Sequence, residues 1–247
     1  MSVIHKQLMV RQAHHQSFAC RRIDFKLKIG YYYISMTIEW YGQSCFKISL
    51  SGAQPTTILT EPFSKETGLN PPRFKPDILI LSREVEKEMA QEAQKEGMVL
   101  VKDPGEYEIK GVEINGFAVP NGENALITVY KLEIEGIKIC YLNGLKKAAL
   151  PDDVIEAMSD ADILLIPVGG KETIGPEEAV ELINDMEPKI VIPMNYKIPG
   201  LKANIETVDK FLKAMGHDKV EPAERLTVKK KDFQEMKEKM EIKILKI

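Results

Sequence analysis

The residues able to do metal or hydrolytic chemistry in this chain are few and unevenly placed. Of four histidines, His5, His14 and His15 fall within the first 35 residues, which leaves His217 alone in the body. One imidazole cannot assemble a zinc site of three or four N, S or O ligands. No serine lies in a Gly-x-Ser-x-Gly elbow, so a serine-histidine relay has no obvious nucleophile. Cys20, Cys45 and Cys140 are isolated and fit neither a disulfide framework nor a Cys-x-x-Cys site. They read as buried, reduced thiols of a cytoplasmic protein. Glu84, Glu86 and Glu88 alternate, and on a helix Glu84 and Glu88 share a face with Lys87 and Lys95 close by. That spacing suits a solvated, charge-paired face, with a weak Mg²⁺ or Ca²⁺ site as the sharper alternative. Gly169-Gly170 precedes Lys171-Glu-Thr173 without the spacing of a phosphate loop. It reads as a tight strand-to-helix connection that needs positive φ.

These groups must be positioned by a regular alternation of strands and helices. Ile38 and Trp40 alternate as in a strand, as does Phe46–Leu50, and Ser51–Pro55 turns the chain into Thr56–Thr60. Asp77–Leu81, Asp162–Val168 and Lys189–Met194 are nearly continuous apolar runs, the pattern of strands covered on both faces. Residues 84–96 carry Val85, Met89 and Ala93 at helical spacing, with Gly97 as the stop. Alternating runs over 106–119 and 126–141, broken at Gly111, Gly116 and Gly136, predict hairpins. Helices are predicted from Pro151 to Met158, after Gly175-Pro-Glu-Glu178, and around Ile205, Val208, Phe211, Leu212 and Met215. His217 falls just past the last of these. Short strands over 225–229 and 241–247 flank a charged helix.

Charge divides the chain. Residues 1–35 carry six Lys/Arg against Asp24 alone, a net +5, whereas 28 basic and 36 acidic residues give the remainder −8. An acidic body argues against general nucleic-acid binding, and Lys229-Lys-Lys231 followed by Asp232 reads as a solvated helix start. No apolar run approaches the roughly 20 residues of a membrane helix. The first 35 residues read as a mis-assigned start upstream of Met36, as a disordered basic arm, or as a targeting peptide that Asp24 and Tyr31–Tyr33 fit poorly. Residues 36–247 form the expected domain.

Five motifs then occur in order: Trp40-Tyr-Gly-Gln-Ser-Cys-Phe46, Thr60-Glu-Pro-Phe63, Gly105-Glu-Tyr-Glu-Ile109, Ile166-Pro-Val-Gly-Gly170 and Ile192-Pro-Met-Asn-Tyr196. Together they resemble the metallo-β-lactamase fold family, in the branch of Zn-dependent hydrolases that includes ascorbate-6-phosphate lactonase-type proteins. The resemblance covers about 36–247. It implies an α/β, four-layer αββα sandwich with the metal site at one edge, where loops from both sheets meet. It also implies histidines and carboxylates that hold metal and lower the pKa of a bound water to near 7. At the matching positions this chain differs. Ser82 fits, but Arg83, Val85 and Glu88 stand where the family has histidines and Lys87 where it has Asp. Asn143-Gly144 replaces the turn of the bridging Asp, Asn195 replaces the last His, and Phe117–Gly122 offers no His-Asp. Glu61 stands where Asp is usual.

The resemblance together with these departures predicts a non-catalytic member of the family, with no zinc or other cofactor and a vestigial cleft of Ser82, Arg83, Glu84, Glu88, Asn143 and Asn195. In it, Arg83 and Lys87 pair with Glu84, Glu88 or Glu61 in place of metal bonds, or Arg83 receives an anionic ligand. Candidate partners are a second copy of the chain or a related active subunit. Two alternatives stand: a divergent metal-dependent hydrolase of a lactone or phosphoester, and a nucleic-acid binder acting through the basic arm. Because residues 1–35 carry no long periodic apolar pattern, a chain that starts at Met36 should melt at nearly the same temperature. A fall of more than about 5 °C in a thermal melt, of order 1 kcal/mol or more for this size, would show the segment to be structural.

Overall fold

The structure is a computed structural model that describes residues 35–52, 54–82, 96–123, 125–236 and 240–247. The helix expected over 84–96 lies largely outside the described residues, as do the expectations for residues 1–34. The first sheet begins with β1 (Met36–Gly42), β2 (Cys45–Leu50) and β3 (Thr56–Thr60), joined antiparallel. β4 (Ile78–Ile80) and β5 (Val99–Val101) then add in parallel. Strict alternation in β1 turns Met36, Ile38 and Trp40 inward, where Trp40 faces Phe46 across the ladder. β12 (Leu226–Val228) closes the far edge against β1.

The second sheet starts as a meander of β6 (Gly105–Ile109), β7 (Val112–Pro120), β8 (Leu126–Ile134) and β9 (Ile137–Tyr141). It continues in parallel through β10 (Ile163–Pro167), β11 (Ile190–Met194) and β13 (Glu241–Ile242). Helices α1 (Asp152–Met158) and α2 (Pro176–Met186) form the crossovers between the parallel strands. β10 and β11 are buried at every position, as their continuous apolar sequence requires. In α2 the apolar stripe Ala179, Leu182, Ile183 and Met186 is buried. Pro176 suits its first position, and Glu178 accepts a hydrogen bond from Gly175 N at 2.9 Å. One apolar cluster runs through both sheets, from Ile38 and Ile48 to Ile139 and Leu165.

Three expectations change. Gly116 does not break the chain into two strands, since β7 runs continuously from Val112 to Pro120. A Cβ at Gly116 would meet Asp103 O, Thr128 Cγ2 and Tyr130 Cε1, each at 3.0 Å. Glycine there serves close packing between strands. Helix α3 (Val208–Ala214) begins after Ile205. Glu206 is held out of it, because its N–H donates to Gly169 O at 2.8 Å and its carbonyl accepts from Lys197 N at 2.7 Å. Near the C-terminus a two-residue β13 and an isolated Ala223–Leu245 bridge replace the longer strand, with α4 (Lys230–Glu235) before them.

A buried carboxylate ties the start of the parallel strands together. Asp162 is 2% exposed and accepts from Lys138 N (3.0 Å), Lys189 Nζ (2.7 Å) and Lys230 Nζ (3.3 Å). Its partners come from β9, the approach to β11 and α4. Asp162→Asn keeps the shape but removes the charge that two ammonium groups face. We expect a loss of about 1–3 kcal/mol, in the range for hydrogen bonds to a charged group. Chemical denaturation measures it, and an unchanged midpoint would show that the lysines find water at no cost.

Candidate functional site

The ends of β3, β4, β9, β10 and β11 meet the β1–β2 and β7–β8 turns along one edge, and cross-sheet hydrogen bonds hold that edge together. Tyr141 donates its hydroxyl to Ser44 O at 2.8 Å, and Thr60 Oγ1 donates to the same carbonyl at 2.8 Å. Tyr130 donates to Leu81 O at 2.7 Å, and Thr128 N to Ser82 O at 3.1 Å. Burial pushes both phenols well above their ordinary pKa, with the Glu61 carboxylate adding to the rise, so they remain protonated donors.

Ser82 follows β4 and is 1% exposed. Its N–H donates to a carboxylate oxygen of Glu61, while its hydroxyl has no hydrogen-bond partner among the described residues. Glu61 adopts a φ of 37°, unusual for a residue with a side chain. Asn195 follows β11 with a φ of 55°. Its N–H donates to Gln43 O at 2.9 Å and its Nδ2 to Thr173 Oγ1 at 3.4 Å. Gln43 O also accepts from Trp40 Nε1 at 3.0 Å. Asn195 is thus linked to the β1–β2 turn and to the loop after β10, and Ser82 to the end of β3. Asn143 sits half-buried in the turn after β9. Arg83, Glu84 and Glu88 lie outside the described residues.

Asn121 is the edge residue that the sequence did not single out. It is 8% exposed, donates to Gly144 O at 3.0 Å and accepts from Lys146 N at 2.8 Å. It clamps the loop after β9 to the β7–β8 turn. An Asn-Gly pair is a turn signal, but it does not show that the carboxamide caps another loop. Gly169-Gly170 is the expected tight connection. A Cβ on Gly169 would lie 2.0 Å from Asn195 O, and Gly170 has a φ of 66°.

The described thiols are unsuited to nucleophilic work. Burial pushes the Cys140 thiol up to about 12, and burial with the nearby Glu61 carboxylate raises Cys45 further. His217 is half-buried beyond α3 and lines a cavity of about 660 Å³ with Asp232, Glu235 and Met236. That cavity adjoins Glu241 of β13, which pairs with Ile190 at the start of β11, whereas Asn195 follows the end of β11.

Comparison with known proteins accounts for this architecture. The model of the β-lactamase superfamily domain matches residues 37–195, and the chain belongs to that superfamily. It is 31% identical to a structure from Thermotoga maritima described as a Zn-dependent hydrolase of the metallo-β-lactamase superfamily. The match covers 85% of this chain and 98% of that one, with a TM-score of 0.66. A UPF0173 metal-dependent hydrolase from Methanopyrus kandleri is 22% identical over 74% of this chain and 94% of its own length. A metallo hydrolase from Ignicoccus hospitalis shares the fold at 16% identity and a TM-score of 0.53, covering 79% and 99%.

These relatives correct the expectation of no cofactor. Relatives carried over most of the chain's length are named metal-dependent or Zn-dependent hydrolases, which implies a metal cofactor in this family. The described residues do not fit a zinc ion held by imidazoles. Their donors at the edge are the hydroxyls of Ser82 and Thr173 and the amides of Asn143 and Asn195. Glu61 is engaged by Ser82 N, and no group of three or more His, Cys, Asp or Glu among the described residues is placed to hold a metal. No helix among the described residues is long and apolar enough to cross a membrane.

The contact between β10 and β11 is directly testable. Gly169→Ala drives a methyl group into the Asn195 carbonyl, a backbone atom that cannot rotate away. We expect a loss of about 3 kcal/mol, the upper range for overpacking, or roughly 6–12 °C for a domain of this size. Asn195→Ala should cost less, about 1–2 kcal/mol, since it removes one long hydrogen bond and places alanine at a φ of 55°. Equal melting temperatures for Gly169→Ala and the parent would show that the strand ends are not in contact.

Proposed function

We propose that this metallo-β-lactamase-fold protein is a non-catalytic member of its superfamily, in which the edge cleft binds a ligand or a partner and does not hydrolyse one. The donor set at the strand ends supports the reading. Asn143 and Asn195 present carboxamides where the resembled family has metal-holding groups, and the Asn195 side chain is bonded to Thr173. Carboxamides neither take a proton from water nor match imidazole and carboxylate as zinc ligands. The proposed rim is Ser82, Asn143 and Asn195, with Arg83, Glu84 and Glu88 following Ser82 directly in the chain.

A second reading is a divergent metal-dependent hydrolase of a lactone or phosphoester. The names of the relatives favour it. One preparation separates the two, purified without chelator and supplied with zinc, with metal content and turnover of a generic phosphodiester and a lactone measured together. The first reading expects no chelator-sensitive turnover at any metal content. Turnover that chelator abolishes, zinc restores and Asn195→Ala lowers by about tenfold or more, the range of a lost positioning group, would establish the second.

A further inference from the structure

Three Asn-Gly pairs occur in this chain: Asn115-Gly116, Asn121-Gly122 and Asn143-Gly144. In such a pair the glycine N can attack the preceding carboxamide carbon, because no Cβ shields the approach. A C–N bond forms, ammonia leaves, and water opens the resulting succinimide to aspartate or isoaspartate. One water is consumed, one ammonia is released, and no oxidant or reductant is needed. The reaction requires a carboxamide free to turn and a glycine N–H not held elsewhere.

The structure separates the three. Asn115 lies inside β7, flanked by Glu106 of β6 and Lys131 of β8, so two ladders fix its backbone. The Asn121 carboxamide is engaged at both ends, through Gly144 O and Lys146 N. Asn143 is half-buried in a turn. Neither its side chain nor Gly144 N makes a hydrogen bond among the described residues. Gly144 has a φ of 73°, its carbonyl is held by Asn121, and Ile127 Cδ1 lies 2.3 Å from where a Cβ on it would stand.

We propose that Asn143 is a site of spontaneous deamidation, the fastest of the three, which converts the edge of the cleft from an amide to a carboxylate donor. The product adds one negative charge and one hard oxygen ligand at the end of β9. The conversion depends on the turn alone and holds whether the cleft binds or hydrolyses.

The test ages the full chain at mildly alkaline pH and follows each Asn-Gly peptide by mass, as NH is exchanged for O, with enzymatic labelling of isoaspartate. In the folded protein the Asn143 peptide should convert at least about tenfold faster than the Asn121 peptide, the ratio expected from two retained hydrogen bonds. In denaturant the three should convert at similar rates. Asn143→Gln should remove the acidic isoform that accumulates first on isoelectric focusing. Equal rates for Asn121 or Asn115 in the folded protein, an Asn143 that resists in the fold, or an early acidic isoform that persists in Asn143→Gln would each overturn the proposal.

Discussion

The edge of this molecule rests on two carbonyl groups. Ser44 O receives the hydroxyls of Tyr141 and Thr60, and Leu81 O receives the hydroxyl of Tyr130. Each phenol rises from the second sheet and ends on a loop of the first, across an otherwise apolar interior. A buried carbonyl without such a partner costs on the order of 1–3 kcal/mol, so both sheets are constrained to the one separation that satisfies it. Thr60 also accepts from Phe46 N at 2.9 Å, which places β2 and β3 in the same network. Everything beyond the strand ends, from Gln43 to Asn195, inherits its position from these bonds.

Above that frame the loops are held by backbone groups. Asn195 N reaches Gln43 O, Glu206 N reaches Gly169 O, and Ile174 N reaches Leu145 O at 2.7 Å. Such contacts need particular carbonyl positions and close approach more than particular side chains. They explain why glycine at 169 is obligatory on steric grounds although its φ is not positive. They also explain how the edge keeps its shape when the side chains along it are hydroxyls and amides.

Much of this was legible in the sequence. The continuous apolar runs of β4, β10 and β11 and the alternation of β1 and β2 identified the strands because burial on two faces or on one leaves different periodicities. The order of the five motifs then pointed to the family. Gly116 misled because a strand glycine and a turn glycine look alike until the neighbours are known. The start of α3 was misplaced because Ile205 has helical spacing while the backbone of Glu206 is committed elsewhere. Asn121 was invisible for a similar reason: which loop a carboxamide caps depends on contacts 23 and 25 residues away. The inference of no cofactor failed at a different level, since missing ligands at matched positions do not determine what a metal-dependent family member binds.

Backbone strain marks where the edge departs from simple economy of folding. Several positive-φ residues have a local reason: Lys110 and Glu135 turn hairpins, and Glu187 ends α2. Asn195 tolerates the left-handed region better than most residues. Glu61 has neither excuse. It leaves β3 at a φ of 37°, a conformation that costs of order 1 kcal/mol or more, and its carboxylate then receives Ser82 N. That bond stations the chain at the exit of β4, where a charge-assisted acceptor offsets the strain. The same carboxylate raises the pKa of Cys45 and Tyr141, so its negative charge reaches into the frame that carries the edge. Glu61 therefore bonds Ser82 directly and adds its charge to the burial that raises the pKa of the cross-sheet tyrosine.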